Sequence, residues 1–264
     1  MGHTLTVRLP GEAAGESTPV PVAPLRGRDE RWIGGLDPAT PREPAVTRLL
    51  VRRVRLAADT LADLPVGDRD FLVLKLGQAS FGGRVELTFT CPREGCAAAM
   101  DAGFDVDDLP VHRPPRQPDY PVPGQDPLRF RLPVAGDLVD PAVAGADDPE
   151  TALLARCLVG AGPEAAADPA LRAAVADEMQ RVMPGVPGEM SLRCPDCEHE
   201  FEAAFDPAAW LLDRIRRGRA LLDRDIHLLS FHYHWSLATI LAMAGPERRE
   251  YVSLLERQLG LATS

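Results

Sequence analysis

Four of the five cysteines fall in two short runs, Cys91-Pro92-Arg93-Glu94-Gly95-Cys96 and Cys194-Pro195-Asp196-Cys197, and no other feature restricts the fold as strongly. Each run follows an alternating stretch, VELTFT before the first and MSLR before the second. A strand that delivers a thiolate into a proline-shaped turn, where backbone N–H groups face sulfur, is the geometry of a zinc knuckle, and two knuckles build a tetrahedral four-sulfur site. The pairs stand 98 positions apart, so a joint ribbon must host an inserted subdomain. Two unrelated hairpins, or free thiols, are the alternatives. Four thiolates close the coordination shell and leave no place for a reacting water, so the expected role of a Zn2+ ion on Cys91, Cys96, Cys194 and Cys197 is structural, with one ion per chain.

Cys157 stands apart in ALLARCLVG and reads as a buried small hydrophobe on an apolar helix. His199, two residues past Cys197, is a reserve ligand that four cysteines make unnecessary. The chain has 264 residues, 45% of them hydrophobic and 26% charged, which is ample for a core without disulfides. Its formal charge of −10 disfavours sequence-independent nucleic-acid binding, which rests on Lys and Arg neutralising phosphates. No stretch approaches the ~20 apolar residues of a membrane span. The N-terminus lacks a basic segment followed by an apolar one, so cytoplasmic localisation is the expectation.

The pattern along the chain predicts an α+β fold: a zinc-ribbon-like β element with an inserted α/β subdomain, flanked by helices, with a helical C-terminus. Residues 1–45 open with an alternating Leu5-Thr6-Val7-Arg8-Leu9 and then carry too many Pro and Gly for regular structure, so they read as a Pro-rich, partly disordered arm. Residues 46–206 hold helices and the split ribbon, with the inserted subdomain over 107–190. A helix is expected over 43–58 and a second one capped by Asp68. Val85, Leu87 and Phe89 alternate as a strand into the first knuckle, and 102–106 return from it. Asp148-Pro149, Asp168-Pro169 and Asp206-Pro207 are start signals for three further helices. Residues 207–264 form the helical C-terminal region.

Within that region Ile226 to Trp235 is the densest apolar and aromatic run. His232 and His234 invite a metal reading, and Ser230 with Asp225 a catalytic one. A histidine pair without a third ligand is a poor metal site, and no G-x-S-x-G context surrounds the serine. Helix packing, with Ser236 capping the next helix, is the plainer reading. Tyr251, Leu254, Leu255 and Leu259 make an apolar stripe that leaves Arg248, Arg249, Glu250 and Glu256 outside.

Taken in order, GDRDFLVLKLGQASFGGRVELTFTCPREGC, LRFRLPVAGDLVD, DPETALLARCLV, LRCPDCEHEFEAAFDP and IHLLSFHYHWSLATILAMAGPERREYVSLLE resemble the T-even-type baseplate hub assembly protein (hub assembly chaperone) family of contractile phage tails and phage-tail-like contractile injection systems. The resemblance covers residues 45–258. It implies a non-enzymatic protein that helps build the baseplate hub, with hub or spike proteins as partners and no small-molecule substrate, nucleic acid or membrane. Zinc ligation carries over to the four knuckle cysteines, although C-x4-C departs from the common C-x2-C. The C-terminal segment is the expected partner contact, through Phe231, Tyr233, Trp235, Arg248 and Arg249. A zinc-ribbon adaptor for nucleic acid or another protein complex is the alternative, and the acidic flanks of the ribbon argue against nucleic acid.

Overall fold

The computed structural model describes residues 4–12 and 18–260. The described residues of the expected N-terminal arm pack into the fold; the rest of it, residues 1–3 and 13–17, lies outside the described residues. Strands β1 (Leu5–Val7) and β2 (Val20–Val22) pair antiparallel, and α1 (Gly27–Gly34) follows directly. Leu9, Val20, Val22, Leu25 and Ile33 are all buried in the largest core. Pro21 is tolerated in β2 because its sheet has only two strands, so the missing N–H breaks no central ladder. The Pro21 carbonyl accepts from the Arg55 N–H at 3.0 Å.

Helix α2 (Arg42–Arg53) stops five residues short of the expected end. Val54 turns extended and bridges Val22, so pairing with the N-terminal segment captures the backbone that periodicity assigned to helix. Asp29 of α1 is fully buried, with ion pairs to Arg53 at 2.6 Å and Arg52 at 3.3 Å that lock α1 to α2. A short α3 (Ala58–Ala62) leads to α4 (Val66–Phe81), the central helix. Asp68 lies inside the first turn of α4 rather than at its cap. Its Oδ1 accepts the Gly11 N–H at 2.8 Å and so anchors the N-terminal segment.

Strands β3 (Arg84–Thr90) and β4 (Ala99–Asp105) form the first knuckle hairpin. The inserted region comprises β5 (Tyr120–Pro121), β6 (Arg129–Phe130), α5 (Pro141–Ala144), α6 (Pro149–Cys157), β7 (Leu158–Val159) and α7 (Pro169–Val182). Leu128, Phe130, Leu132 and Val134 alternate as a longer strand would, yet only Arg129 and Phe130 pair. The three short strands order β5-β6-β7 over a separate core of Tyr120, Phe130, Leu154, Cys157, Val175 and neighbours. Asp148, Asp168 and Asp206 each accept a backbone N–H of their own helix, as the Asp-Pro pairs predict.

Strands β8 (Glu189–Arg193) and β9 (Glu200–Ala204) form the second knuckle hairpin, and α8 (Pro207–Arg217) follows. α8 belongs to the main core: Trp210, Leu211, Leu212 and Ile215 are buried there. A Cβ at Gly77 of α4 would lie 2.3 Å from the Trp210 ring, so glycine is what lets α4 and α8 approach. α9 (Arg219–Tyr233), α10 (Leu237–Ala242) and α11 (Gly245–Gln258) gather around a satellite core of Leu229, Ile240 and Val252. Ser236 caps α10, accepting the Thr239 N–H at 3.1 Å. No helix among the described residues is long and apolar enough to cross a membrane.

Candidate metal centre

The two hairpins bring four sulfurs from opposite ends of the insertion to one point. Every pair among the ligand atoms of Cys91, Cys96, Cys194 and Cys197 lies within 4.8 Å. Cys91 Sγ and Cys197 Sγ are 3.7 Å apart, and Cys96 Sγ and Cys194 Sγ 3.8 Å. Sulfurs at the corners of a tetrahedron around zinc, with Zn–S bonds of about 2.3 Å, stand roughly 3.8 Å from one another. All four cysteines are free thiols. Each knuckle contributes one buried and one partly exposed cysteine, and Met100, Phe89, Leu192 and Phe201 wall the cluster.

The knuckles are built alike despite unequal lengths. In each, the first cysteine donates its N–H to the carbonyl of the residue two past the second cysteine: Cys91 to Ala98 and Cys194 to His199, both at 2.9 Å. In each, the residue right after the second cysteine takes the left-handed conformation, Ala97 at φ 49° and Glu198 at φ 57°. Non-glycine residues rarely adopt it, and its recurrence at equivalent places marks a conformation imposed by the turn. Backbone N–H groups of Arg93, Ala98 and His199 reach Cys91, Cys96 and Cys197. The two extra residues of the first knuckle are absorbed at Gly95, φ 81°.

Desolvation pushes the Cys91 thiol up to about 12, whereas the His199 N–H, with the neighbouring thiols, brings Cys197 down to about 7. Four sulfurs this close resist sharing more than one negative charge, and a divalent cation at their centre reverses that resistance. The donor set therefore fits a thiophilic ion of tetrahedral preference. Sequence reasoning missed Arg93, whose Nη1 donates to the Cys197 carbonyl at 3.2 Å and links one knuckle to the other.

The remaining candidates separate. His199 stacks on Phe201, with ring centroids 6.1 Å apart, outside the sulfur cluster. Cys157 is fully buried in the inserted core, and burial pushes its thiol up to about 11. Ser230 Oγ donates to the His227 carbonyl of its own helix, while Asp225 is taken by Arg248, so these two do not join. His234 ends α9 in a left-handed turn. The aromatic run divides: Tyr233 stacks on Trp235 at 4.9 Å, and Trp235 meets Tyr251 edge-on at 4.9 Å, while Phe231 is 65% exposed. Arg249 is exposed. Arg248 is not on the outside: it is 2% exposed, with Nε on Asp225 at 2.9 Å and Nη2 on Glu30 at 2.8 Å. The expected stripe is not the inward face of α11: Leu254 and Leu259 are exposed, and Arg248, Val252 and Leu255, at i, i+4 and i+7, turn inward together.

An α+β fold closed by a split pair of thiol knuckles defines the class. Residues 43–160 match the family model described as T4 bacteriophage base plate protein, and the match supports a phage baseplate-related family. The matched stretch runs from α2 through β7 and contains the first knuckle but not the second. No curated protein and no solved structure matches.

Proposed function

We propose that this chain is a non-enzymatic assembly factor or minor structural component of the baseplate hub of a contractile injection system, held together by one structural zinc ion on Cys91, Cys96, Cys194 and Cys197. The match of residues 43–160 to the base plate family carries the reading. The ordered set of similar segments runs past that match into the second knuckle and α11, which favours the hub assembly branch. Four converging thiols with no fifth donor in the cluster favour a closed, structural ion over a catalytic one. The ribbon exterior exposes Glu94, Asp101, Asp196, Glu198, Glu200 and Glu202, which favours a protein partner over nucleic acid. Hub or spike proteins are the partners, and the chain is made in the cytoplasm, where the particle is built.

The test is mass spectrometry of purified particles and of baseplate subcomplexes from assembling cells. The chain should co-purify with hub or spike proteins in at least one of them. Its absence from both overturns the reading.

A further inference from the structure

The satellite helices enclose a cavity of about 350 Å³ with α8 and the end of α4, lined by Phe81, Arg214, Leu221, Leu222, Arg249 and Val252 among others. That volume is at the small end of ligand pockets, which span roughly 300–1,000 Å³, and suits a side chain or two rather than a cofactor. The cavity's acidic groups are already engaged. Glu30 and Asp225 hold Arg248, and Glu256 holds Arg224. Two of its arginines form no ion pair among the described residues, although Glu30 and Asp225 lie close enough to Arg249 to act on its charge. Arg214 lies over the Phe81 ring at 5.6 Å from the centroid, and Arg249 donates one N–H to the Ser80 carbonyl at 3.0 Å. A guanidinium carries five N–H donors in a planar fork, so most of the donor capacity of both stays open. Leu221 at the rim is 61% exposed beside them. A second cavity, of about 640 Å³, shares Phe81 and Arg214 with it and is lined also by Arg84 and by the acidic Glu86 and Asp101, so the open guanidinium is concentrated in the first. A chain with ten more acidic than basic residues thus keeps a local surplus of open guanidinium at one apolar-walled cavity.

We propose that this cavity is the docking site for an acidic segment of a partner protein, whose Asp or Glu carboxylate is taken between Arg214 and Arg249 while its apolar neighbours pack on Leu221 and Phe81. The paired forks match carboxylates in geometry and charge, and apolar walls strengthen such a bond by excluding water. A nucleic-acid strand fits worse. It needs a run of cations, whereas Glu30 and Glu256 border these arginines on the same wall. The inference deepens the proposed function and rests on its premise that the chain works by binding other proteins.

The test uses the full zinc-loaded chain and three labelled probes: an alternating Glu/Leu peptide, the matching Lys/Leu peptide, and a single-stranded DNA oligonucleotide. The Glu/Leu peptide should bind in preference to both others. Arg214→Ala and Leu221→Asp, each at an exposed position, should weaken it by roughly tenfold with melting temperature and zinc content unchanged. Equal binding of both peptides, preference for DNA, no binding, or unchanged binding by both variants overturns the proposal. The two readings fail separately. If both variants still co-purify with baseplate proteins as the wild type does, the cavity is wrong and the function stands. If the wild type never co-purifies yet binds the Glu/Leu peptide selectively, the function is wrong and the cavity stands.

Discussion

The knuckle ribbon and the satellite helices are equally small cores solved in two different ways. Cys91, Met100 and Cys194 are the buried residues of one; Leu229, Ile240 and Val252 are those of the other. Three buried side chains contribute roughly 1.5–3 kcal/mol each, too little to order the roughly forty residues of either element against chain entropy. The ribbon adds four sulfurs for a metal. The satellite instead adds a buried cation, Arg248, clamped by Asp225 of its own layer and by Glu30 of the main core. A metal site supplies folding energy outright. A buried ion pair mostly specifies where the layer sits, and its breaking costs more than its presence gains.

The two small cores differ most at the metal. Protein purified without chelator should carry about one zinc per chain by elemental analysis. Chelation or Cys194→Ser should remove on the order of 10 kcal/mol of local stabilisation. Hydrogen exchange should then show β3, β4, β8 and β9 losing protection while α4 and α8 keep theirs. Cys157→Ser, buried elsewhere, should leave zinc content unchanged. Full protection of both hairpins in a metal-free chain would show that no metal holds the ribbon together.

Next in size is Arg248. Arg248→Met should cost about 3–5 kcal/mol by stranding two carboxylates, and should unfold the satellite before the main core. Arg249→Ala, one position along but exposed, should cost less than about 1 kcal/mol. Thermal melts of the two variants decide it, and equal losses would show that the clamp does not hold α11 in place.

Asp68 sharpens the contrast because it has neither metal nor arginine in contact. It is 1% exposed; among the described residues the Gly11 N–H is its hydrogen-bond donor and one carboxylate oxygen is unsatisfied. Desolvation is the main cause that raises its carboxyl to about 6, opposed by the Gly11 N–H and by Arg116 and Arg113, and reinforced by Glu12. An acid with a raised folded pKa binds its proton more tightly in the native state. Stability is therefore gained as pH falls from above 6 towards the unfolded value near 4, and lost as pH rises through 6. Two pH units correspond to about 2–3 kcal/mol. Asp68→Asn should keep the Gly11 contact and abolish that slope. The difference in melting temperature between wild type and variant, followed from pH 5 to 7, isolates the effect from acid release of zinc. A constant difference would refute it.

The knuckles, the Asp-Pro helix starts and the Ser236 cap were legible because each is a local device, complete within four or five residues. The N-terminal segment was not. Pro19, Pro21 and Pro24 look like punctuation until Val20 and Val22 find Leu5, Val7 and Val54 across the chain. Asp68 reads as a cap by position, yet its partner is 57 residues away at Gly11. Arg248 reads as surface by composition, yet its Glu30 partner is 218 residues away. Long-range polar contacts leave no periodic trace in sequence, and these decide where the N-terminal segment and the satellite attach.

The smallest expected effect separates packing from contact within the aromatic run. Phe231 projects from α9 with the His227 and His232 rings beside it, while the half-buried Trp235 packs between Tyr233 and Tyr251. Removing an exposed side chain changes stability by less than about 0.5 kcal/mol, whereas truncating a packed indole costs up to about 3–5 kcal/mol. Phe231→Ser should therefore melt with the wild type, and Trp235→Ala well below it. Exposed aromatics of that size are what protein interfaces select, since they bury large area at small entropic cost. If Phe231 belongs to the partner contact, the Ser variant should lose co-purification with hub or spike proteins at unchanged zinc content. A Phe231→Ser chain that assembles as the wild type does would leave the satellite with the arginine cavity as its one candidate contact.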